Sequence, residues 1–109
     1  MKTITTNLKR ASIEIILLSL LTEGDMYGYQ LSQEIKKRTD NKLSVLEGSM
    51  YTILNRLKDN DDVTFYTKIV GTKMVRVYYS ITETGRTHLK EMTEIFNTDT
   101  DLIKSLINK

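Results

Sequence analysis

Three segments with helical spacing of apolar residues, one segment in which apolar and polar residues alternate, and a final long helical stripe predict a mainly helical α+β fold. The chain has 109 residues, which is the size of one domain. It contains no proline, and no repeat or low-complexity segment divides it. We therefore predict a single structural domain in two parts: residues 1–82 form the body and residues 83–109 form a C-terminal helix.

The body is predicted to begin with two helices. Apolar residues recur every three or four positions over residues 10–23, and Gly24 follows, so we expect a helix that stops there. Residues 25–29 are predicted to form a turn. A short second helix follows, because Leu31 and Ile35 are four positions apart and are followed by three consecutive cations, which suit a helix C-terminus.

A third helix is predicted over residues 48–60, before an acidic turn. Its apolar residues share one face: Met50, Ile53, Leu54 and Leu57. Its polar face offers side chains that can bond to phosphates and to base edges: Ser49, Thr52, Asn55 and Arg56, with Tyr51 on the flank. This division is typical of the helix that enters the DNA major groove, although any amphipathic surface helix also shows it.

After the acidic turn the apolar period changes to two, which predicts a two-stranded hairpin with residues 71–73 in its loop. Residues 63–82 contain Lys68, Lys73 and Arg76 and no acidic residue, although the whole chain has a net charge of only +2. Such a cationic hairpin beside the third helix predicts a winged helix-turn-helix. Lys73 and Arg76 are the expected phosphate contacts, and a basic but merely solvated loop is the alternative.

Thr82 is placed to cap a final helix that extends towards Ile107. Apolar residues at alternating spacings of three and four form a heptad stripe along it: Leu89, Met92, Phe96, Ile103 and Leu106. Asp99 takes the remaining seam position, and Ile95 and Leu102 widen the stripe. Because the body can cover this stripe only in part, we expect the same helix of a second subunit to pack on it. Packing within one chain is the alternative.

Composition argues against several classes of function. The chain has no cysteine and one histidine, His88, so neither a catalytic residue set nor a metal or cofactor site is expected. We expect His88 to be a partly exposed helix residue without a special task. The apolar stretch over residues 13–21 is too short to cross a bilayer, and the N-terminus does not resemble a secretion signal. We therefore expect a cytoplasmic protein.

The chain resembles the PadR family of winged helix-turn-helix transcriptional regulators, in particular its short subfamily with one C-terminal dimerisation helix. The resemblance spans nearly the whole chain and rests on residues 16–21 before Gly24, the run Tyr27-Gly28-Tyr29-Gln30-Leu31, the run Gly48-Ser49-Met50-Tyr51 with Leu54, Arg56 and Leu57, and residues 76–85. Two positions depart from the usual pattern: Thr52 stands where the family often has proline, and Asp61-Asp62 stand where an apolar pair is common. The wing is also poorer in arginine, glycine and proline.

The resemblance implies a repressor of nearby genes, and a homodimer of this fold suits a pseudo-palindromic operator in double-stranded DNA. It also implies a small aromatic effector between the C-terminal helices and helix one. Phe96 is the aromatic residue expected there, with Ile15, Ser19, Leu89 and Thr93 as neighbours. Phe96 as plain dimer core remains an alternative. A protein-interaction or scaffold module without specific DNA binding is the competing function, and an enzyme is a distant third.

Overall fold

The computed structural model describes residues 10–108, which form four helices and a three-stranded antiparallel sheet. In chain order the elements are α1 (Arg10–Leu21), β1 (Met26–Tyr27), α2 (Gly28–Arg38), α3 (Glu47–Asp59), β2 (Val63–Val70), β3 (Met74–Ile81) and α4 (Glu83–Ile107). Helices α2 and α3 form the helix-turn-helix pair, and the β2–β3 hairpin forms the wing. This order confirms the predicted mainly helical winged helix-turn-helix. Residues 1–9 of the predicted body and residue 109 of the predicted C-terminal helix lie outside the described residues.

The connection between α1 and α2 differs from the prediction. Helix α1 ends at Leu21 rather than at residue 23, and Gly24, with φ +148°, ends the turn that follows. Residues 25–29 are not simply a turn, because they contain β1 and the start of α2. Two residues are too few to show an alternating pattern, so β1 gave no signal in the sequence.

Strand β1 makes the sheet three-stranded, in the order β1-β3-β2, instead of the two-stranded hairpin that we predicted. Tyr27 pairs with Tyr78 on β3, next to the pairing of Met26 with Tyr79. The hairpin itself agrees with the prediction, and Gly71, with φ +67°, occupies its turn. The third strand attaches the base of the wing to the beginning of α2.

The core lies between α1, α2, α3 and the base of the sheet. Its most deeply buried apolar side chains are Leu17, Leu18, Leu21, Leu31, Met50, Leu54, Leu57 and Val63. Helix α1 packs against both α3 and α4, so it buries more than one face, and the adjacent residues Leu17 and Leu18 are both fully buried. The predicted inner face of α3 is confirmed at all four of its positions.

Helix α4 begins where β3 meets the turn after α3. The Gly85 amide donates to Thr82 Oγ1 at 2.9 Å, which confirms the predicted N-cap. The Thr82 amide donates to the carbonyl of Asp62 at 3.0 Å, and Asp61 in the same turn has φ +62°. The bond between Thr82 and Asp62 joins the turn after α3 to the start of α4. Among the helices of residues 10–108, none has both the length and the apolar character that crossing a membrane requires.

Candidate nucleic-acid interface

Helix α3 presents the polar face that the sequence predicts. Ser49, Thr52, Asn55 and Arg56 are all exposed. The Thr52 hydroxyl donates to the Gly48 carbonyl at 3.0 Å, so its proton is used within the helix and its oxygen can still accept a hydrogen bond. Within residues 10–108, no side-chain hydrogen bond or ion pair occupies Asn55 or Arg56. Both side chains are therefore available to a partner molecule.

Tyr51 combines a structural contact with an exposed surface. Its ring lies against Gly28 at the beginning of α2, and a Cβ atom at position 28 would collide with the ring. The side chain is nevertheless 37% exposed. Gly28 thus permits the close approach of α2 and α3, and it sets where the Tyr51 hydroxyl lies on the surface.

A cleft of about 370 Å³ separates the wing from the N-terminal turns of α2 and α3. Its lining residues are Tyr27, Gly28, Tyr29, Tyr51, Val75, Arg76, Val77 and Tyr79. The structure therefore brings Tyr51 and Arg76, which the sequence predicts as DNA contacts, to one cleft. Lys73 lies at the hairpin tip, where it lines a shallow depression that Arg76 also borders.

Sequence reasoning missed several residues around this cleft. Tyr29 is 59% exposed and lines it, and Tyr27 lies beneath the guanidinium of Arg76. Outside the cleft, Nζ of Lys58 in the last turn of α3 lies 5.2 Å from the centre of the Phe65 ring on the wing. The available signal was the aromatic run around Gly28, which was used for the family resemblance but was not assigned to the interface.

The five residues predicted for an effector site do not line one cavity of the single chain. Ile15 and Ser19 line a groove of about 240 Å³ between α1 and α2, whereas Leu89, Thr93 and Phe96 of α4 do not line it. At its rim, Arg38 donates to both carboxylate oxygens of Glu23 at 2.6 Å. These hydrogen bonds lower the pKa of Glu23.

The apolar stripe of α4 is divided in two. Leu89 and Met92 are partly buried and pack against the core of the same chain. Phe96, Ile103 and Leu106 are exposed, with Leu106 at 72%. Within one chain, only the first part of the predicted seam is covered.

His88 has a partner that the sequence did not predict. Its Nδ1 atom lies 2.9 Å from Oδ2 of Asp62, and Asp62 is almost fully buried. The expectation that His88 is partly exposed and lies early in a long helix is met, and the structure adds a contact with Asp62 that the sequence did not indicate. The two residues are 26 positions apart, so no local pattern could have indicated their contact.

Comparison with known proteins supports this assignment of elements. The family model of the PadR-like transcriptional regulators matches residues 17–91, from α1 through α3 and the wing into α4. An uncharacterised protein of Lysinibacillus sphaericus is 35% identical over 85 residues, which cover 78% of each chain. The negative transcriptional regulator PadR of Bacillus subtilis is 29% identical over 79 residues, which cover 72% of this chain and 43% of that protein.

Solved structures show the same fold. A transcriptional regulator from Clostridium thermocellum superposes with a TM-score of 0.81 at 33% identity, over 88% of this chain and 90% of that one. The crystal structure of Bacillus subtilis PadR in complex with operator DNA gives a TM-score of 0.68 at 29% identity, over 73% of this chain and 45% of that one. Because the matching family consists of transcription factors, the prediction that the chain is not an enzyme is confirmed. The chain belongs to the PadR-like family of transcriptional regulators.

Proposed function

We propose that this regulator is a homodimeric, cytoplasmic repressor that binds a pseudo-palindromic operator in double-stranded DNA. The observation that carries the proposal is the exposed polar face of α3, which lies beside a cationic wing. A similar fold in Bacillus subtilis PadR has been crystallised in complex with operator DNA. That relative is named a negative transcriptional regulator, which supports the direction of regulation.

Base recognition is assigned to α3. A guanidinium such as that of Arg56 can bond to O6 and N7 of guanine, and an amide such as that of Asn55 can bond to N6 and N7 of adenine. Thr52 and Ser49 lie about one and two turns before Arg56 on the same exposed face, where hydroxyls suit phosphate or base contacts. Tyr51 reaches the backbone from the flank of the helix.

Backbone contact is assigned to the wing. Lys73 lies at the exposed tip and Arg76 borders the cleft, and residues 63–82 contain no acidic residue that would repel a phosphate. The net charge of the chain is small, so the placement of these cations decides where DNA binds. Each neutralised phosphate releases counterions, so binding through the wing is sensitive to salt.

Dimerisation is assigned to the C-terminal part of α4. Phe96, Ile103 and Leu106 are exposed in the single chain, and a second α4 would remove them from water. The helix has 25 residues and is thus about 37 Å long, which is enough for an extended seam. A two-fold dimer would place its two α3 helices in successive major grooves about 34 Å apart.

Relief of repression is assigned to a small aromatic or drug-like effector at the same interface. Phe96 offers an aromatic ring that is 47% exposed in the single chain, and Leu89 and Thr93 precede it on the same helix. In this proposal Ile15 and Ser19 of α1 complete the site only after a second subunit has joined. An effector that packs among these residues would shift the two α3 helices relative to each other.

The test is DNA binding, measured by fluorescence anisotropy with a labelled duplex from the region upstream of the gene and with a scrambled duplex. Arg56→Ala should weaken binding to the upstream duplex preferentially, because it removes a base contact. Lys73→Ala should weaken binding to both duplexes and flatten the salt dependence. Lys90→Ala, an exposed change on α4, is the control. Binding by both variants that equals that of the wild type would overturn the proposal.

A protein-interaction module is the second candidate, and one observation favours it. Large apolar side chains are exposed on the wing as well as on α4, including Phe65, Ile69 and Val75. If the wild-type protein fails to bind the upstream duplex even at low salt, this candidate replaces the repressor.

A further inference from the structure

The outer face of the wing carries aromatic and cationic side chains in a defined order. In the β2–β3 register, Tyr66 is opposite Tyr78 and Lys68 is opposite Arg76, and side chains two residues apart on a strand point to the same face. Tyr27 of β1, paired with Tyr78, lies on this face as well. We call these five residues the outer strip of the wing.

Three tyrosines of the outer strip form a row across the sheet. The ring of Tyr27 meets the ring of Tyr78 edge-on at 5.4 Å, and Tyr78 stacks on Tyr66 at 5.7 Å with an interplanar angle of 11°. The Tyr66 hydroxyl donates to Oδ2 of Asp25 at 2.8 Å, just before β1. The row therefore links the wing to the segment that begins α2, and it restrains the angle at which the wing leaves the body.

Each cation of the outer strip lies over one of these rings. The Arg76 guanidinium carbon is 4.3 Å from the centre of the Tyr27 ring, and Lys68 Nζ is 5.5 Å from the centre of the Tyr78 ring. No ion pair within residues 10–108 involves either cation. Like charges opposite each other on neighbouring strands destabilise a sheet. Cation–π contact offsets this repulsion without neutralising the charge, so both cations remain able to bind an anion.

The position of Arg76 connects the outer strip to the recognition helix. Arg76 and Tyr27 line the same cleft as Tyr51 of α3. The backbone of Tyr27 is held at the start of α2, where its amide nitrogen donates a hydrogen bond to Oε1 of Gln30 at 3.4 Å. The guanidinium thus lies over the ring of the residue that caps the start of α2, which fixes its place relative to the helix-turn-helix pair.

We propose that Lys68 and Arg76 bind the DNA backbone together, and that Tyr27 and Tyr78 are positioning residues that hold the two cations over their rings. The inference rests on the proposed function, and it adds Lys68 and the two tyrosines to the DNA-binding surface. Two cations that are restrained before binding lose less side-chain freedom on binding, so the wing needs few charges to contribute affinity.

The test is a double-mutant cycle on the full-length protein, read as affinity for the labelled upstream duplex. Tyr27→Leu should weaken binding about two- to fivefold, which is the equivalent of an exposed cation–π contact. Tyr27→Phe keeps the ring and should bind the duplex with wild-type affinity. In the Arg76→Ala background, Tyr27→Leu should cause no further loss, because the group that it positions is absent.

The second measurement is the salt dependence of binding. Lys68→Ala and Arg76→Ala should each reduce the slope of log affinity against log salt by about one unit, and Lys90→Ala should not change it. An unchanged slope for Lys68→Ala, or an equal loss from Tyr27→Leu with and without Arg76, overturns this inference alone. A wild-type protein that binds no duplex overturns the proposed function, so the two failures are distinguishable. Thermal unfolding of each variant identifies any loss that comes from misfolding.

Discussion

His88 Nδ1 on α4 lies 2.9 Å from Oδ2 of Asp62, which is in the turn after α3. Asp62 is 1% exposed, and its carbonyl also accepts a hydrogen bond from the Thr82 amide. The contact therefore fixes the first turns of α4 against the end of α3, the helix to which we assign base recognition. A change in the orientation of α4 would be transmitted to α3 through this joint.

Loss of His88 should destabilise the fold. His88→Ala leaves the carboxyl of Asp62 without its side-chain partner, so the free energy of unfolding should fall by about 1–3 kcal/mol. Urea denaturation measures this change. Thr87→Ala, at an exposed neighbouring position, is the control. An equal effect of the two substitutions would show that the contact contributes nothing to stability.

Gly85 should not tolerate a side chain. A Cβ atom at this position would collide with the backbone carbonyl of Asp62 and press on the side chain of Ile81. Because backbone atoms cannot move aside cheaply, Gly85→Ala should lower the free energy of unfolding by about 1–3 kcal/mol or more. Gly48→Ala is the matched control, since nothing lies within 4 Å of its added Cβ and α3 should be slightly stabilised. Equal stability of the two variants would contradict the close packing of α4 on this turn.

The exposed part of the α4 stripe should decide the oligomeric state. Ile103 and Asn97 are both exposed in the single chain, but only Ile103 lies on the stripe. Ile103→Asp should shift the protein to a monomer in sedimentation experiments, because a charge at the seam would have to be buried. Asn97→Asp adds the same charge on the opposite face and should leave the dimer intact. If both variants sediment as the wild type does, the seam is not the interface.

The ion pair at the rim of the α1–α2 groove should be sensitive to acid. Hydrogen bonding to Arg38 lowers the pKa of Glu23 below its ordinary value of 4.5. A lowered folded-state pKa contributes stability that is present above the unfolded value and is lost as the pH falls through the folded value. The difference in unfolding free energy between the wild type and Glu23→Gln should therefore shrink as the pH falls below about 4.5. A difference that does not change with pH would contradict the pairing.

Much of the fold could be predicted because its signals are local. The four buried positions of α3 follow the helical period, and the cap at Thr82 depends on an amide three residues away. The hairpin followed from alternation and from the turn at Gly71. Strand β1 was missed because two residues carry no period, and its existence depends on pairing with Tyr78 and Tyr79 far along the chain.

The residues of the candidate site also differ in whether the sequence alone could identify them. Arg56 and Asn55 could be identified because a helical period assigns each residue to a face. Tyr27 and Lys68 could not be identified, since their roles depend on rings and cations that meet only after β1 and β2 have paired with β3.

The sequence by itself determined the order of the four helices and the hairpin, the two faces of α3 and the cationic character of that hairpin. Each depends on residues a few positions apart, whose spacing sets which side of a helix or strand they occupy. Only the tertiary structure decided that Asp62 meets His88, that Arg76 rests on Tyr27, and that the α4 stripe is covered as far as Met92 but exposed from Ile95. Those outcomes depend on contacts between distant segments, which arise only when the packed core brings the segments together.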